Sequence, residues 1–345
     1  MGRRISSRAG GVPPLIPPGA ALLALALALA VAQAAPRGAG PWVFSYFLDN
    51  GQDGMHLAYS RDGLKWTPLG EGRPYLAPAV GGKLIRDPCI ILGPDNVFHA
   101  VWTTGWYEQG IGIAHSRDLV TWDEAVFLPV MVHERKAANA WAPEIFYDDE
   151  TSQYLIFWAT TIPGRFPATD ASGSVSKEGI ALNHRIYRTT TRDFTEYRRA
   201  ELFLDPGFNV IDATIVRDGP RVLMFLKDET LRPDARKDIR MAVADHALGP
   251  YTVGAEPISK ENWVEGPTAF RAGQEMFVLF DAYTRKRYEG VKSRDLKTWT
   301  ALGAELEMPP GARHGSVVAV SERVLKGLLA STPAGPSAEK KDGVP

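Results

Sequence analysis

One short motif occurs four times in this chain: SRDGLKW at residues 60–66, SRDLVTW at 116–122, TRDFTEY at 191–197 and SRDLKTW at 293–299. In each copy a hydroxyl residue and an aspartate precede an aromatic residue at a fixed distance, a pattern typical of a hairpin turn that leads into an outer strand. A degenerate fifth copy, Ala244-Asp245-His246 before Tyr251, falls between the third and fourth. The copies recur at roughly the 40 to 50 residues that one four-stranded propeller blade requires. The sequence therefore predicts an all-β fold of the propeller type.

A second series of segments precedes these motifs, and each member begins a strand. Small residues and proline stand at the start of these segments, as expected for strands that converge on a crowded central axis, because proline is tolerated at the first residue of a strand. Five such segments predict the innermost strands of a five-bladed β-propeller. They are residues 86–91, 141–146, 211–216, 265–270 and 313–318.

The two ends of the chain complement each other. The last inner segment, near residue 313, has no turn motif after it, whereas the first motif, at residue 60, has no inner segment before it. We therefore expect strands near 42–47, 54–60 and 66–69 to join the C-terminal strand in one blade, which closes the ring and removes exposed sheet edges. Cys89 is the only cysteine, so this closure uses no disulfide.

The predicted propeller domain covers residues 41–330. Residues 331–345, rich in Pro, Gly, Lys and Ser, are predicted to be a disordered tail. A long segment at 162–183, rich in Gly, Ser, Thr and Pro, is expected to border the central funnel.

The N-terminus has the composition of a targeting segment. Arg3, Arg4 and Arg8 precede an unbroken apolar run at residues 20–31, and Ala32-Gln33-Ala34 has the form of a signal-peptidase site. These features predict a signal peptide over residues 1–35 and a secreted or periplasmic protein. An uncleaved membrane anchor is the alternative, but the apolar run is shorter than the ~20 residues that span a bilayer.

Composition excludes several classes of function. The formal net charge is −1, and the 39 basic residues are scattered, so neither a nucleic-acid partner nor binding to an anionic membrane after signal removal is expected. The sequence has no Cys/His cluster with zinc spacing and no Gly-rich phosphate loop after a strand. An uncharged or weakly charged substrate fits best, and no cofactor is required.

Acidic residues stand at the start of three predicted inner strands. The equivalent positions hold Asp87, Ala142, Asp212, Glu265 with Gly266, and His314, so three carboxylates from three blades are expected to converge on one pit at the funnel mouth. A carboxylate trio without a basic partner repels itself, which favours a functional role over a structural one. A structural cation bound in the central channel is the other explanation.

These elements resemble the five-bladed propellers of glycoside hydrolase family 43. The resemblance covers essentially all of residues 41–322, and its signature elements occur in the family's order. They are Arg86-Asp87-Pro88, Trp141-Ala142-Pro143-Glu144, Asp212, Glu265-Gly266-Pro267 and Arg313-His314-Gly315.

The resemblance implies a glycosidase that acts on an oligo- or polysaccharide. By position it implies that Asp87 is the general base that activates water, that Glu265 is the general acid, and that Asp212 raises the pKa of Glu265 and orients it. Hydrolysis with inversion is implied, which needs the base and acid roughly 6.5 to 9.5 Å apart. The implied substrates are arabinofuranosides, xylosides or galactofuranosides.

Further residues are candidates for substrate binding. Trp102, Trp106 and Trp141 could stack on a sugar ring, although tryptophan in a propeller more often packs in the core. Glu144 and the Lys227-Asp228-Glu229 cluster could contact hydroxyls or form ion pairs within the wall. The resemblance to family 43 implies that His314 is an axial histidine near a water-bound cation. A hydrogen-bonded structural histidine is the alternative. The predicted substrate-binding set is Trp102, Trp106, Trp141, Glu144 and His314.

Two other functions remain open at this point. The retaining invertase and fructanase propellers also use an Arg-Asp-Pro element, with a nucleophilic aspartate one blade earlier, a role that Asp49 would have to fill. Its context, Leu48-Asp49-Asn50-Gly51, lacks the Asn-Asp-Pro-Asn pattern of that group. A carbohydrate-binding propeller without catalysis is the non-enzyme alternative, since a fold does not guarantee a reaction.

Overall fold

The computed structural model describes residues 40–177 and 179–331, and within them twenty strands form five four-stranded antiparallel sheets. The chain begins with strands β1 (Trp42–Phe47), β2 (His56–Ser60) and β3 (Thr67–Pro68). The first complete sheet, blade 1, follows as β4 (Arg86–Leu92), β5 (Phe98–Thr103), β6 (Ile111–Ser116) and β7 (Val126–Leu128).

Three more blades follow in chain order, each with its strands in the sequence inner to outer. Blade 2 consists of β8 (Trp141–Asp148), β9 (Gln153–Thr161), β10 (His184–Thr191) and β11 (Glu201–Leu204). Blade 3 consists of β12 (Val210–Asp218), β13 (Arg221–Asp228), β14 (Asp238–Ala244) and β15 (Thr252–Pro257). Blade 4 consists of β16 (Glu265–Ala272), β17 (Glu275–Ala282), β18 (Arg287–Ser293) and β19 (Thr300–Ala301).

The last strand closes the ring. Strand β20 (Arg313–Ala319) pairs antiparallel with β1, which gives a fifth blade in the order β20-β1-β2-β3. The five innermost strands β4, β8, β12, β16 and β20 contact one another around the axis, each with its two neighbours. The predictions of a five-bladed propeller and of closure between the chain ends are confirmed.

The four repeated motifs form the turn between the third and fourth strands of four blades. In the first copy, Asp62 Oδ1 accepts the backbone N–H groups of Leu64 and Lys65, both at 2.8 Å. Asp118, Asp193 and Asp295 accept the same two N–H groups of their own turns. A short acceptor at this position satisfies two donors that the hairpin leaves unpaired, which is why the turn needs aspartate.

Apolar clusters fill the space between each pair of neighbouring blades. Strands such as β5 and β13 are buried on both faces, because the sheet to which each belongs packs between two neighbouring sheets. Side chains from β1, β4 and β5 make up the cluster between the closing blade and blade 1, and four similar clusters follow around the ring. Each fully buried large apolar side chain contributes about 1.5–3 kcal/mol, so the ring is held by packing and needs no crosslink.

Helical structure is confined to short segments in the described residues. Three 3-10 helices lie at Gly70–Gly72, Pro167–Ser172 and Gly303–Glu305, and one α-helix, α1, spans Glu322–Ala330. Ser321 caps α1 by accepting the Val324 N–H, and Leu325 and Leu328 bury its apolar face in the cluster shared by blade 1 and the closing blade.

The described part of the chain contains no helix long and apolar enough to cross a bilayer. The predicted signal peptide over residues 1–35 lies outside the described residues, as does the predicted tail after Ser331.

Candidate active site

Four inner strands begin with the same irregularity. The register of each with its second strand shifts within the first few residues, which marks a β-bulge. The second residue or its equivalent adopts a left-handed backbone conformation, with φ of 52° at Asp87, 45° at Ala142, 53° at Asp212 and 60° at Gly266. Left-handed backbone at a non-glycine residue costs on the order of 1–3 kcal/mol, and such strain clusters at functional sites.

The left-handed residues show which positions of the inner strands are equivalent. Asp87 and Asp212 occupy the same position of their strands, but the residue equivalent to them in blade 4 is Gly266, so Glu265 stands one residue earlier. Pro88, which the sequence predicted to lie near the start of its strand, is the third residue of β4 and lies inside the bulge. A bulge leaves a residue unpaired, so the missing proline N–H costs no ladder bond there.

The three carboxylates line one cavity of about 560 Å³ at the end of the ring where the inner strands begin. This volume lies within the range of small-molecule sites, roughly 300 to 1,000 Å³. The segment 162–183 contributes Ser174 and Leu182 to the wall, so it borders the funnel as the sequence predicted. A second cavity of about 600 Å³ lies beside β18 and the segment before β20, and none of the three carboxylates lines it.

Asp87 is held as a carboxylate by two neighbours. Thr103 Oγ1 donates a hydrogen bond to Asp87 Oδ2 at 2.8 Å and itself accepts the Ala142 N–H at 2.8 Å, which fixes the hydroxyl's direction. On the other side, Nδ1 of His314 lies 3.3 Å from Asp87 Oδ1. Burial alone would raise the pKa, but the charge and hydrogen bond of His314, with smaller contributions from Arg86 and Thr103, lower the pKa of Asp87 to about 2.

Asp212 lies in a less favourable setting for negative charge. Its Oδ2 accepts the Gly266 N–H at 3.0 Å and lies 3.9 Å from His314 Nδ1. Burial raises the pKa of Asp212 to about 6, against the opposing charges of His314 and Lys227 and with added repulsion from Glu265 and Asp87.

Glu265 is bound by two cations. Lys227 Nζ lies 3.2 Å from its Oε2, and a guanidinium nitrogen of Arg313 lies 3.0 Å from its Oε1. Together with His314 these cations give the trio three basic partners, so the expectation of a trio without a basic partner is wrong. The strands concerned are far apart in sequence, and only the closed ring brings them together.

His314 supports the two aspartates from behind and does not line the cavity. Burial opposes its charge, but Asp212 and Asp87 raise the pKa of His314 to about 9, so it is a cation at neutral pH. Gly266 is required next to it, because a Cβ at that residue would lie 2.3 Å from the imidazole. His314 was predicted to bind substrate, but in the structure it contacts two carboxylates of the site and does not face the cavity.

Trp106 and Trp141 do line the cavity, where their rings meet edge to face with centroids 5.7 Å apart. Trp141 Nε1 donates to the Trp106 carbonyl at 2.7 Å, and Trp106 Nε1 donates to Asn50 Oδ1 at 3.2 Å. The guanidinium of Arg86 stacks 4.3 Å from the Trp106 ring. These contacts fix both indoles as a rigid, partly exposed aromatic wall, although their binding of a sugar stays a prediction.

Trp102 and Glu144 do not reach the cavity. Trp102 is fully buried against Gly112, because neighbouring residues of a strand face opposite sides and Thr103 takes the side toward Asp87. Glu144 is buried and accepts from Cys89 Sγ at 3.3 Å and from Thr214 Oγ1 at 3.0 Å. Burial raises the pKa of Glu144 to about 7. The predictions that these two residues bind substrate are wrong in this geometry.

Several residues of the cavity were missed as site residues by sequence reasoning. Three residues in or beside the cavity share one position, and of these only Lys227 was a candidate in the sequence, as a hydroxyl contact or a partner in an ion pair within the wall. Thr103 pairs with Arg86, Lys227 with Ile211 and Asp281 with Glu265, in each case opposite the first or second residue of the inner strand. Thr103 and Lys227 contact a carboxylate of the trio, while Asp281 binds Arg313 at 2.5 Å. The repeat could have revealed them, because the end of each second strand faces the start of each first strand.

Asp49, the alternative nucleophile, also lines the cavity, at its exposed rim and with a left-handed backbone. For a channel cation the donor set does not fit. His314 already supplies a positive charge between the two aspartates. Within residues 40–177 and 179–331, no group of three or more His, Cys, Asp or Glu side chains is arranged to hold a metal ion.

Comparison with known proteins gives a family match over most of the chain. The profile of a family related to glycosyl hydrolase family 43, described as "Probable glycosyl hydrolase domain", matches residues 39–325. An α-L-arabinofuranosidase of Bifidobacterium longum subsp. longum is similar, with 25% identity over 104 residues. That match covers 29% of this chain and 9% of the relative's length.

Solved structures with similar folds include a thermostable family-43 glycoside hydrolase, with 15% identity and a TM-score of 0.49 over 67% of this chain and 78% of that one. An arabinanase from Bacillus subtilis has 14% identity and a TM-score of 0.49, over 71% and 88% of the two chains. An α-L-arabinofuranosidase from Lactobacillus brevis has 16% identity and a TM-score of 0.47, over 66% and 73%.

Proposed function

The chain belongs to this family of glycosyl hydrolases related to family 43, and we propose that it hydrolyses the glycosidic bond of an arabinofuranoside, xyloside or galactofuranoside with inversion at the anomeric carbon. One observation carries the proposal: Asp87, Asp212 and Glu265, from three different blades, line a single cavity of sugar-binding size. Glycoside hydrolysis needs a pair of carboxyl groups at the scissile bond, one ionised and one protonated.

In the proposed reaction Asp87 is the general base. A pKa of about 2 keeps it ionised throughout the neutral range. It takes a proton from a water molecule, whose oxygen forms the new bond to the anomeric carbon. Thr103 and His314 hold the two carboxylate oxygens from opposite sides, so the base needs no reorientation before it acts.

Glu265 is the general acid of the same step. As the bond between the anomeric carbon and the leaving oxygen breaks, the Glu265 proton moves to that oxygen, which leaves Glu265 as a carboxylate and Asp87 protonated. Asp212 assists because it faces Glu265, and repulsion between two carboxylates is relieved when either of them holds a proton.

The aromatic wall supports a neutral sugar as substrate. Trp106 and Trp141 expose ring surface beside donors and acceptors of Asn50, Arg86 and Tyr283, all of which line the cavity. Apolar ring faces with a few fixed polar groups are typical of sites that bind a compact, uncharged ligand. The furanoside preference follows the family resemblance, and the name of the relative from Bifidobacterium longum subsp. longum, an α-L-arabinofuranosidase, agrees with it.

A panel of nitrophenyl glycosides tests this function. The unaltered protein should release nitrophenol from at least one of the α-L-arabinofuranoside, β-D-xyloside and β-D-galactofuranoside, and Asp87→Ala should lower that rate by about 10² to 10⁴. Glu265→Gln should lower it by less, because nitrophenol is an acidic leaving group that needs little protonation. Equal rates for the protein and both variants would overturn the assignment. Tight sugar binding in calorimetry with no turnover on any substrate would favour a binding module.

We further propose that the protein is exported, on the basis of the N-terminal sequence pattern alone. Expression of the full chain in a bacterial host, followed by mass spectrometry of the extracellular or periplasmic fraction, should find a new N-terminus close to residue 36. Recovery of the intact N-terminus from the membrane fraction would favour an anchor.

A further inference from the structure

Glu265 lies in the middle of an alternating series of charged side chains. At one end of the series, buried Lys237 pairs with Glu229; Glu229 then pairs with Lys227 at 2.7 Å, Lys227 with Glu265 at 3.2 Å, and Glu265 with Arg313 at 3.0 Å. Arg313 ends the series on Asp281 at 2.5 Å. Positive and negative groups alternate without a break, so each inner member has an opposite charge on both sides.

Lys227 is the most constrained member. Its side chain is 2% exposed, and its ammonium lies 4.9 Å from the centre of the Tyr283 ring. A buried ammonium costs several kcal/mol unless it is paired, and here the pairing is with two carboxylates at once. Burial opposes the charge, but Glu229 and Glu265 hold the pKa of Lys227 well above its ordinary value, so it remains a cation.

The position of Lys227 in the repeat is informative. At the same place in blade 1, opposite the start of the inner strand, Thr103 orients Asp87. In blade 3 this place holds Lys227, which reaches Glu265 of the following blade. In both blades the second strand thus supplies a group that fixes a carboxylate of the site. Thr103 supplies a hydroxyl to Asp87, and Lys227 supplies a cation to Glu265.

We infer that Lys227 is a positioning residue for the Glu265 carboxyl and stabilises the carboxylate that forms when Glu265 gives its proton to the leaving oxygen. The inference rests on the proposed function, because it assigns Lys227 to the acid half of that reaction. Glu229 acts through Lys227 from one link further away, since it contacts Lys227 and Lys237 and does not pair with Glu265.

The charge of Lys227 acts at the moment of bond cleavage. A protonated acid needs no cation, but the carboxylate left after proton transfer does, and a cation already in place costs no reorganisation. The effect should grow with the need for proton donation, so it is largest for a basic leaving group and smallest for an acidic phenol. Other charged groups that act on Glu265 or on its two cations are Arg313, Asp212, Asp281, His314, Glu229 and Lys237.

The test compares Lys227→Met with the unaltered protein on glycosides of the same sugar whose leaving groups range from dinitrophenol to an alkyl alcohol. We expect kcat/KM to fall about tenfold more for the alkyl glycoside than for the dinitrophenyl glycoside. The alkaline limb of the kcat profile should move to higher pH, because a cation that favours the carboxylate is gone. Lys227→Arg, which keeps the charge, should recover part of both effects.

Two more variants separate positioning from folding. Glu229→Gln removes a negative neighbour of Lys227, so the alkaline limb should move the opposite way, to lower pH. Arg240→Met is the matched control, since Arg240 on β14 is a largely buried cation paired with Asp228 and Asp238, and it does not pair with Glu265. It should lower the melting temperature without any dependence on the leaving group.

The outcomes are distinct. A loss that is equal for all leaving groups in Lys227→Met, or an alkaline limb that moves in the same direction in Lys227→Met and Glu229→Gln, would overturn the role of Lys227 and leave the proposed hydrolase intact. If Lys227→Met does not fold, the direction of the shift in Glu229→Gln decides. No turnover by the unaltered protein on any glycoside would remove the proposed function, and this inference with it.

Discussion

Asp87 and Asp212 stand at the same position of two inner strands, with φ angles of 52° and 53°, yet their carboxyl groups have opposite electrostatic settings. The pKa of Asp87 is lowered to about 2, whereas that of Asp212 is raised to about 6. Their side chains are 11% and 6% exposed, respectively, and both lie beside the same imidazole. The difference in pKa must therefore come from the distance to that imidazole and from the neighbours that the two sites do not share.

Those neighbours are few. Asp87 has the Thr103 hydroxyl at 2.8 Å and the closer approach of His314, at 3.3 Å against 3.9 Å for Asp212. Asp212 instead faces the negative charge of Glu265. The bulge therefore decides where a carboxyl group stands, whereas burial, the distance to His314 and the neighbouring charges decide whether it is ionised. Ala142, with φ of 45° and no carboxyl group, shows that the backbone feature alone carries no chemistry.

The largest effect should come from removing the ionised member of the pair. Asp87→Asn keeps the size of the side chain but abolishes the base, so kcat on the best aryl glycoside should fall by about 10³ to 10⁴. Asp212→Asn should cost less, about 10² or below, because its carboxyl group acts through Glu265. Steady-state kinetics of both variants decide the order, and an Asp212→Asn loss larger than that of Asp87→Asn would reverse the assignment.

Loss of the shared imidazole should have the next largest effect. His314→Gln removes a buried cation that lies close to both aspartates, and we expect kcat/KM to fall by about ten- to a hundredfold. The acidic limb of the profile should move to higher pH, because the ionised form of Asp87 loses its main support. A profile unchanged in shape would show that His314 is not the group that separates the two carboxyls.

Thr103 is a finer test, because it contacts only one of the two. Thr103→Val is nearly isosteric and removes one hydrogen bond to Asp87, so the pKa of that carboxyl should rise and kcat/KM at low pH should fall by up to about tenfold. The alkaline limb should stay in place. Thr104→Val serves as a control, since the Thr104 hydroxyl donates to Glu108 and not to the trio. A shift of the alkaline limb in Thr103→Val would contradict the account.

The smallest effect is on stability. The folded state holds the Asp212 proton up to about pH 6, while an ordinary aspartate loses it near 3.8, so the folded protein binds more protons between these values and loses stability as the pH rises through them. Relative to the unaltered protein, Asp212→Asn should therefore be favoured more at pH 7 than at pH 4, although at both pH values it also removes a charge partner of His314. Urea unfolding at both pH values measures this, and an equal difference at pH 4 and pH 7 would contradict it.

The fold and part of the site could be predicted from the sequence. The five inner segments determined the number of blades, and the unmatched segments at the two ends of the chain predicted closure of the ring, because these signals are local and repeat. The three carboxylates of the site could also be predicted from the sequence, since each stands near the start of an inner strand. Thr103 was not recognised, and Lys227 was predicted only as a member of a charged cluster in the wall, because the carboxylates that they contact belong to a neighbouring strand or blade.

Trp102 shows the limit of local patterns. Strand β5 is buried on both faces, so no alternation of polar and apolar residues indicates which side faces the site. Trp102 and Thr103 are adjacent, yet one packs in the core and the other holds Asp87. The role of His314 was also beyond local patterns. Its sequence context predicts a position near the axis, but its contacts are with aspartates on two other strands, β4 and β12.

The stereochemistry of hydrolysis tests most directly whether Asp87 activates water. Proton NMR of the first turnovers on the best aryl glycoside identifies which anomer of the free sugar appears before mutarotation. The account predicts the anomer opposite to that of the substrate, because water attacks from the side of Asp87 while Glu265 protonates the leaving oxygen. Release of the sugar with the substrate's own anomeric configuration would contradict it and point to a covalent intermediate on a carboxylate such as Asp49 or Asp87.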